Sequence, residues 1–90
     1  MKFEWDELKN ALNIRKHGVA FEDATLIFED PRRVERYDAS HSWDEDRWIG
    51  IGFARPRLLF VVYAIKHYDT YRIISARKAN EQERREYCGI

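Results

Sequence analysis

Five parts of the chain are rich in β-branched and aromatic residues and are bounded by turn residues, a pattern typical of β-strands. They predict a short opening strand and four further strands, over residues 3–5, 33–37, 47–54, 58–66 and 71–76. Only short turns separate the last three strands, so we expect these to be antiparallel neighbours. Residues 58–62 are apolar at every position, which predicts a central strand that is covered on both faces.

Three other segments carry the i, i+3, i+4 spacing of amphipathic helices. The first helix begins after the N-cap residue Asp6 and ends at Gly18. Its apolar face is formed by Leu8, Ala11 and Leu12. The second spans residues 21–29, and the third spans residues 81–87 behind an Asn-x-x-Glu capping box. The fold class is therefore predicted as α+β, with two N-terminal helices and a C-terminal helix packed on a mainly antiparallel sheet.

Ninety residues suffice for one hydrophobic core, so residues 1–90 are expected to form a single domain. The net charge of zero hides an asymmetry, because residues 1–46 hold 7 Lys/Arg against 12 Asp/Glu and residues 47–90 hold 9 against 4. The basic half favours a polyanionic ligand, unless the two halves neutralise each other in the fold. Cys88 is the only cysteine, which excludes an internal disulfide and a cysteine-based zinc cluster. With no membrane-length apolar run and no signal-peptide pattern, we expect a cytoplasmic protein.

An anion site is predicted where the last strand meets the last helix. Arg77 and Lys78 follow the strand directly, and the partial positive charge of a helix N-terminus would add to theirs and favour a phosphate or a carboxylate. The alternative is that both cations are solvated surface residues. Strand alternation places Arg72 and Arg77 on opposite faces. Of these two we favour Arg77, together with Arg47, as the phosphate ligand, and Arg72 is the alternative.

The chain also carries a series of specific motifs. The first is Phe3-x-Trp5-Asp6-x-x-Lys9-x-x-x-Asn13-x-x-Lys16-His17-Gly18-Val19-x-Phe21-x-x-Ala24. The others are Asp30-Pro31, Glu45-x-Arg47, Arg72-Ile73-Ile74-Ser75-Ala76-Arg77-Lys78-Ala79, and Glu83-Arg84 with Tyr87. Together they resemble the BrnT toxins of bacterial type II toxin–antitoxin systems. The resemblance implies a RelE-like fold, a ribonuclease that stops translation, and an antitoxin, BrnA, that neutralises the toxin and binds the operator DNA.

RNA cleavage without a metal requires a base for the 2′-hydroxyl, an acid for the departing 5′-oxygen, and cations for the charge on phosphorus. The candidate catalytic residues are His17, Arg47, Arg77, Lys78 and Tyr87. The candidate RNA contacts are Lys16, Arg72 and Arg84. No metal or other cofactor is expected, because the acidic residues of segment 38–46 have the irregular spacing of a solvated turn.

Proton transfer has several candidates. His17 is the first candidate because an imidazole can serve as either acid or base, although a histidine in the last turn of a helix also interacts with free carbonyls there. His41 and His67 are predicted to be surface residues. Glu83 is accounted for by its capping role, although it would also serve as a base. Tyr87 is expected either near the scissile phosphate or in a packing position.

A second interpretation is a binding module that acts mainly through its antitoxin complex and operator regulation. Three tryptophans and five tyrosines offer more aromatic area than one small core needs, and aromatic residues are favoured at interfaces. The same rings would also stack on RNA bases. If the protein is a nuclease, removal of the Arg77 guanidinium is expected to impair cleavage far more than stability.

Overall fold

A computed structural model of residues 1–90 contains a β-sheet and three α-helices. The strands are β1 (Lys2–Glu4), β2 (Val34–Tyr37), β3 (Trp48–Ala54), β4 (Arg57–Lys66) and β5 (Thr70–Lys78). The helices are α1 (Glu7–His17), α2 (Phe21–Ala24) and α3 (Glu81–Cys88), with 3₁₀ turns at Thr25–Glu29 and Ala39–His41. The predicted α+β class is confirmed. The predicted second helix is α-helical only over α2 and continues as a 3₁₀ turn.

The strands follow the order β1-β5-β4-β3-β2 across the sheet. The last three strands pair antiparallel, as their short connections predict; β2 also pairs antiparallel with β3, while β1 pairs with β5 in parallel at the edge. The central position of β4, with buried apolar residues on both sides, confirms the prediction of a doubly covered strand. None of the helices has the length and apolar character that crossing a membrane requires.

One face of the sheet, called the first face, is covered by α1, α2 and the 3₁₀ turn that follows α2. The core on this face includes Phe21, Ala24, Ile27, Leu59, Val61, Tyr63, Ile73 and Ala76. The turn approaches β3 closely, since an added Cβ at Gly50 or Gly52 would lie 2.9 Å from atoms of Ile27. Because the two glycines lack a Cβ, the apolar 3₁₀ turn can pack directly against the backbone of β3.

Helix α1 turns its apolar stripe away from the sheet. Leu8 is 73% exposed and Leu12 is 55% exposed, whereas Asn13 is buried. The Asn13 side chain donates to the carbonyls of Val19 and Ala76, both at 2.8 Å, and accepts from the Ala76 N–H at 3.2 Å. The expectation that the apolar stripe covers the sheet is wrong, because the buried hydrogen bonds of Asn13 set the orientation of α1.

Strand β5 carries a bulge that reverses its alternation. The β4–β5 register shifts at Ile74, which has no partner on β4. Across this shift, Arg72 pairs with Ala64 and Arg77 pairs with Phe60, and these two partners lie on the same side of β4 because they are an even number of residues apart. Arg72 and Arg77 therefore share one face. The prediction of opposite faces is wrong, because the extra residue breaks the period of two.

The shared face, called the second face, is covered only in part. Its core includes Ile49, Ile51, Leu58 and Ala79, against which Tyr87 of α3 packs. Both hydrogen bonds of the predicted capping box are present in α3, and the helix ends at Gly89 with a φ of 78°. Eight residues make a helix only about 12 Å long. It covers the end of the face where β5 ends and leaves the end where β5 begins open.

Candidate active site and RNA interface

The Arg77 guanidinium is paired with neighbouring groups of the chain. It donates to both carboxylate oxygens of Glu83, at 2.8 and 2.9 Å, and to the Lys78 carbonyl at 3.1 Å. Its Cζ lies 4.1 Å from the centre of the Phe60 ring. The anion at this strand end is thus the protein's own carboxylate. We call this part of the second face, with Phe60, Arg77 and Glu83, the closed end.

Glu83 joins Arg77 to the first turn of α3. Burial alone would raise the pKa of Glu83, but hydrogen bonds from Arg77 and from the backbone N–H of Asn80, together with the charge of Arg77, lower it below its ordinary value. A carboxylate with a lowered pKa is a weak proton acceptor. The capping role predicted for Glu83 is confirmed, and a role as a base is disfavoured.

Tyr87 is held by a carboxylate next to the closed end. Its hydroxyl donates to Asp30 at 2.7 Å, and the same oxygen of Asp30 accepts from the Phe53 N–H at 2.9 Å. The hydrogen bond to Asp30, aided by burial, raises the pKa of Tyr87. Burial would raise the pKa of Asp30, but its hydrogen bonds lower it. Tyr87 borders a cleft of about 560 Å³ that is also lined by Glu29, Asp30 and Arg55. The two carboxylates outnumber the single guanidinium, which disfavours phosphate there.

At the opposite end of the second face, two arginines lie in one row across the sheet. Arg72 of β5 pairs with Ala64 of β4. Arg47 directly precedes the residue Trp48, which pairs with Tyr63, so the ladder places Arg47 level with Ala64. Neighbouring strands lie about 4.8 Å apart, which puts the two arginine backbones roughly 10 Å apart. We call Arg47, Ala64 and Arg72 the arginine row.

Neither arginine of the row has an ionic partner within the chain. The six ion pairs use the basic residues Arg33, Arg36, His41, Arg57, Arg77 and Arg85. Both Arg47 and Arg72 are half-buried, and Nε of Arg47 is shielded from solvent without a hydrogen-bond partner. A partly desolvated, unpaired cation is costly. A phosphate would relieve that cost, since a guanidinium offers two parallel N–H groups to its oxygens.

The turn after β2, which contains Asp38 and His41, is joined to the backbone of Arg47. Asp38 N–H donates to the Arg47 carbonyl at 2.8 Å, and the Arg47 N–H donates to the Ser42 hydroxyl at 3.0 Å. Nδ1 of His41 lies 3.1 Å from a carboxylate oxygen of Asp38. The sequence predicts a solvated turn here. The only feature of the sequence that indicates the Asp38–His41 pair is the Asp-x-x-His spacing, which corresponds to a single turn. No three His, Cys, Asp or Glu side chains are grouped so as to hold a metal ion.

Lys16 and His17 lie at the end of α1, against the first face. The carbonyl of the adjacent Gly18 accepts from Arg57 at the start of β4 at 3.0 Å. Lys78 belongs to the same region because its register places it on the first face at the end of β5. Lys16 and Lys78 are exposed and His17 is half-buried. The sheet separates these three residues from the arginine row.

The residues predicted as site residues thus fall into three groups. Arg47 and Arg72 form the arginine row, and Arg77 lies in the closed end with Tyr87 and the exposed Arg84 on the adjoining α3. Lys16, His17 and Lys78 form the third group. The favoured pairing of Arg47 with Arg77 spans two strands and four residues along β4, which is roughly 13 Å along the strand direction alone. Arg72 is the arginine that lies beside Arg47.

Comparison with known proteins identifies the family. Residues 5–83 match the family described as the ribonuclease toxin, BrnT, of type II toxin–antitoxin systems. The 1.1 Å crystal structure of the Brucella abortus ribonuclease toxin BrnT is similar, with a TM-score of 0.67 and 26% identity over 90% of this chain and 99% of that chain. None of the curated proteins matches. The resemblance drawn from the sequence is confirmed: the chain belongs to the BrnT family of ribonuclease toxins of type II toxin–antitoxin systems.

Proposed function

We propose that this toxin cleaves RNA without a metal, by attack of a 2′-hydroxyl on the adjacent phosphate, which is bound in the arginine row. The observation that carries the proposal is the unpaired, half-buried state of Arg47 and Arg72. Two guanidiniums aimed at one phosphate supply the charge stabilisation that a metal ion supplies in other nucleases. Lys66 adds a third cation, since the alternation of β4 puts it on the same face as Ala64.

The bases of the RNA extend over the turn that carries His41 in this proposal. Trp43 is 88% exposed, and its ring centre lies 6.5 Å from that of His41. An exposed indole offers a stacking surface to any base, which stabilises single-stranded RNA without sequence preference. His17, Arg77, Lys78 and Tyr87 as catalytic residues, and Lys16 and Arg84 as RNA contacts, remain predictions that substitution tests separately.

The resemblance to BrnT toxins supplies the cellular part of the proposal. RNA cleavage in the cytoplasm inhibits translation, and the fold is related to the RelE-like nucleases. A BrnA-like antitoxin neutralises the toxin, and the complex of the two reaches operator DNA only through the antitoxin. The exposed stripe of α1, formed by Leu8, Ala11 and Leu12, supplies apolar surface for that partner, because exposed apolar side chains in one patch are typical of protein interfaces.

This docking surface is tested with matched leucine variants. Leu12→Glu is expected to weaken antitoxin binding at least tenfold while RNA cleavage stays at the wild-type rate. Leu26→Glu is the control, since Leu26 is also exposed, at 41%, but lies outside α1. Equal antitoxin affinity of Leu12→Glu and the wild type would reject the stripe as the interface.

The reaction itself is tested with purified toxin, free of antitoxin, incubated with RNA in excess chelator. We expect cleavage to proceed and the products to carry a 2′,3′-cyclic phosphate and a 5′-hydroxyl. Loss of cleavage that a divalent ion restores would contradict the metal-independent reaction.

A second candidate function, a binding module without catalysis, is favoured by the exposed stripe of α1. It predicts tight antitoxin binding and no RNA cleavage under any of these conditions.

A further inference from the structure

We infer that His41 is the general base of the cleavage reaction and that Asp38 is the positioning residue that holds it. The inference deepens the proposed function and rests on it. A carboxylate that is 8% exposed faces a histidine side chain that is 63% exposed. One partner is therefore fixed inside the fold while the other reaches solvent, as a proton-transfer pair requires.

The hydrogen bonds of the pair determine which imidazole nitrogen is free. The Ser40 hydroxyl donates to Asp38 at 2.9 Å, and Nδ1 of His41 lies 2.9 Å from the same hydroxyl oxygen and 3.1 Å from the carboxylate. An ionised carboxylate only accepts, and the hydroxyl has a single proton. Nδ1 must therefore carry the hydrogen that faces both oxygens. In the neutral ring the lone pair is then on Nε2, the nitrogen that can take a proton from RNA.

The backbone ties this pair to the arginine row. The Ser42 hydroxyl donates to the Asp38 carbonyl and accepts from the Arg47 N–H. Arg36 precedes Asp38 by two residues and reaches Glu86 of α3 at 2.8 Å, so alternation also puts the Asp38 side chain on the second face. The carboxylate that holds the base and the proposed phosphate ligands therefore occupy the same face at the same end of the sheet, and Nδ1 of His41 lies 3.1 Å from that carboxylate.

The step balances with water as the acid. Nε2 of His41 takes the proton of the 2′-hydroxyl, the 2′-oxygen forms a bond to phosphorus, and the bond from phosphorus to the 5′-oxygen breaks. The 5′-oxygen leaves with its electron pair and takes a proton from water, and the hydroxide formed takes the proton from His41. The products are a 2′,3′-cyclic phosphate and a 5′-hydroxyl, and the imidazole returns to its neutral state.

The chain provides a matched control for His41. His67 is also an exposed histidine in a turn, but it lies between β4 and β5 and makes no side-chain hydrogen bond to a carboxylate. Its φ is 53°, a left-handed conformation that asparagine tolerates. His67→Asn therefore removes an imidazole without straining the turn.

The experiment measures single-turnover RNA cleavage in chelator by the wild type and by His41→Ala, Asp38→Asn and His67→Asn, with thermal melts on the same samples. We expect His41→Ala to lower the rate roughly 10² to 10⁴-fold without a large change in melting temperature, and added imidazole to restore part of the activity. Asp38→Asn should lower kcat while KM stays unchanged, since it disturbs the tautomer rather than RNA binding. His67→Asn should cleave at the wild-type rate.

Two results would overturn the inference. A His41→Ala protein that cleaves at the wild-type rate removes His41 from the reaction and leaves the metal-independent cleavage intact. An equal loss in His41→Ala and His67→Asn, without rescue by imidazole, assigns the effect to the fold. A wild type that does not cleave in chelator defeats the proposed function itself, so the two failures are distinguishable.

Discussion

Both ends of the second face carry arginine side chains, but the arginine at one end is paired within the chain and the two arginines at the other end are not. At the closed end, Arg77 donates to both oxygens of Glu83 and stacks on Phe60. In the arginine row, Arg47 and Arg72 belong to no ion pair, and Nε of Arg47 lacks a partner although it is shielded from solvent. An arginine whose hydrogen bonds are used within the chain stabilises the fold, whereas one left unpaired is available to a ligand.

This difference between the two ends supports the proposal that the RNA phosphate binds in the arginine row. A phosphate at the closed end must displace the buried carboxylate of Glu83, which also accepts from the backbone N–H of the α3 N-cap residue Asn80. A phosphate in the arginine row would displace no carboxylate, since neither Arg47 nor Arg72 is in an ion pair, and their backbones lie roughly 10 Å apart. We therefore propose that RNA binds at the end of the second face that holds the arginine row, here called the open end, while the Arg77–Glu83 pair of the closed end joins α3 to the sheet.

The largest expected effect is on cleavage by variants of the arginine row. Arg72→Ala and Arg47→Ala should each lower the single-turnover rate by roughly 10² to 10³-fold, because each removes a charge that stabilises the transition state. Their melting temperatures should stay close to the wild type, since no ion pair within the chain is lost. Arg15→Ala is the control, an exposed cation on α1. If a folded Arg72→Ala protein cleaves RNA at the wild-type rate, the proposed difference in function between the two ends of the second face is contradicted.

The next effect is on stability at the closed end. Arg77→Ala leaves the Glu83 carboxylate, whose side chain is 10% exposed, without its charged partner. We expect the free energy of unfolding to fall by about 2 kcal/mol, the scale for a hydrogen bond to a charged group. Urea denaturation measures it. This expectation differs from the one drawn from the sequence, in which loss of the Arg77 guanidinium has little effect on stability. Unchanged stability of Arg77→Ala together with a large loss of cleavage would support the sequence-based expectation instead.

A smaller effect concerns acid stability. The pKa of Glu83 is lowered in the folded protein, so its ionised state adds stability at pH values above the unfolded-state pKa of about 4.3. This contribution is lost as the pH falls through the lower pKa of the folded state. The stability difference between the wild type and Glu83→Gln should therefore narrow as the pH falls below about 4. Denaturation at a series of pH values tests this, and a constant difference would contradict it.

The smallest effect is expected for His17, on the other side of the sheet. His17→Ala should cost about 1 kcal/mol of stability or less, as for a histidine at a helix C-terminus, and should leave the cleavage rate and its pH profile unchanged. Thermal melts and a pH series on one preparation check both. A rate that falls roughly 10²-fold, with loss of a limb near neutral pH, would instead support the catalytic role predicted from the sequence.

The sequence predicted the features that local chemistry determines. The Asn80/Glu83 capping box, the Asp6 N-cap and the left-handed Gly18 are each specified by residues close in sequence, and all are present. The central position of β4 follows from its continuous apolar run. These predictions needed no knowledge of which distant segments meet.

What the sequence did not predict depends on partners distant in the chain or on register. The bulge at Ile74 exists only in the pairing of β4 with β5, and it moved Arg72 and Arg77 onto one face. Asn13 reaches Ala76, 63 residues later, and so turned the apolar side of α1 outward. The predicted anion site at Arg77 was correct in its electrostatics, but its anion is the Glu83 carboxylate of the chain itself.

The most direct test of the open end as the phosphate site is an NMR titration that follows the arginine Nε–Hε signals. The ligand is a short RNA with a 2′-deoxy sugar at the cleavage position, which binds without reacting. We predict that the signals of Arg47 and Arg72 shift on titration while the signal of Arg77 stays in place. Shifts of Arg77 with Arg47 and Arg72 unaffected would contradict the account and place the phosphate at the closed end.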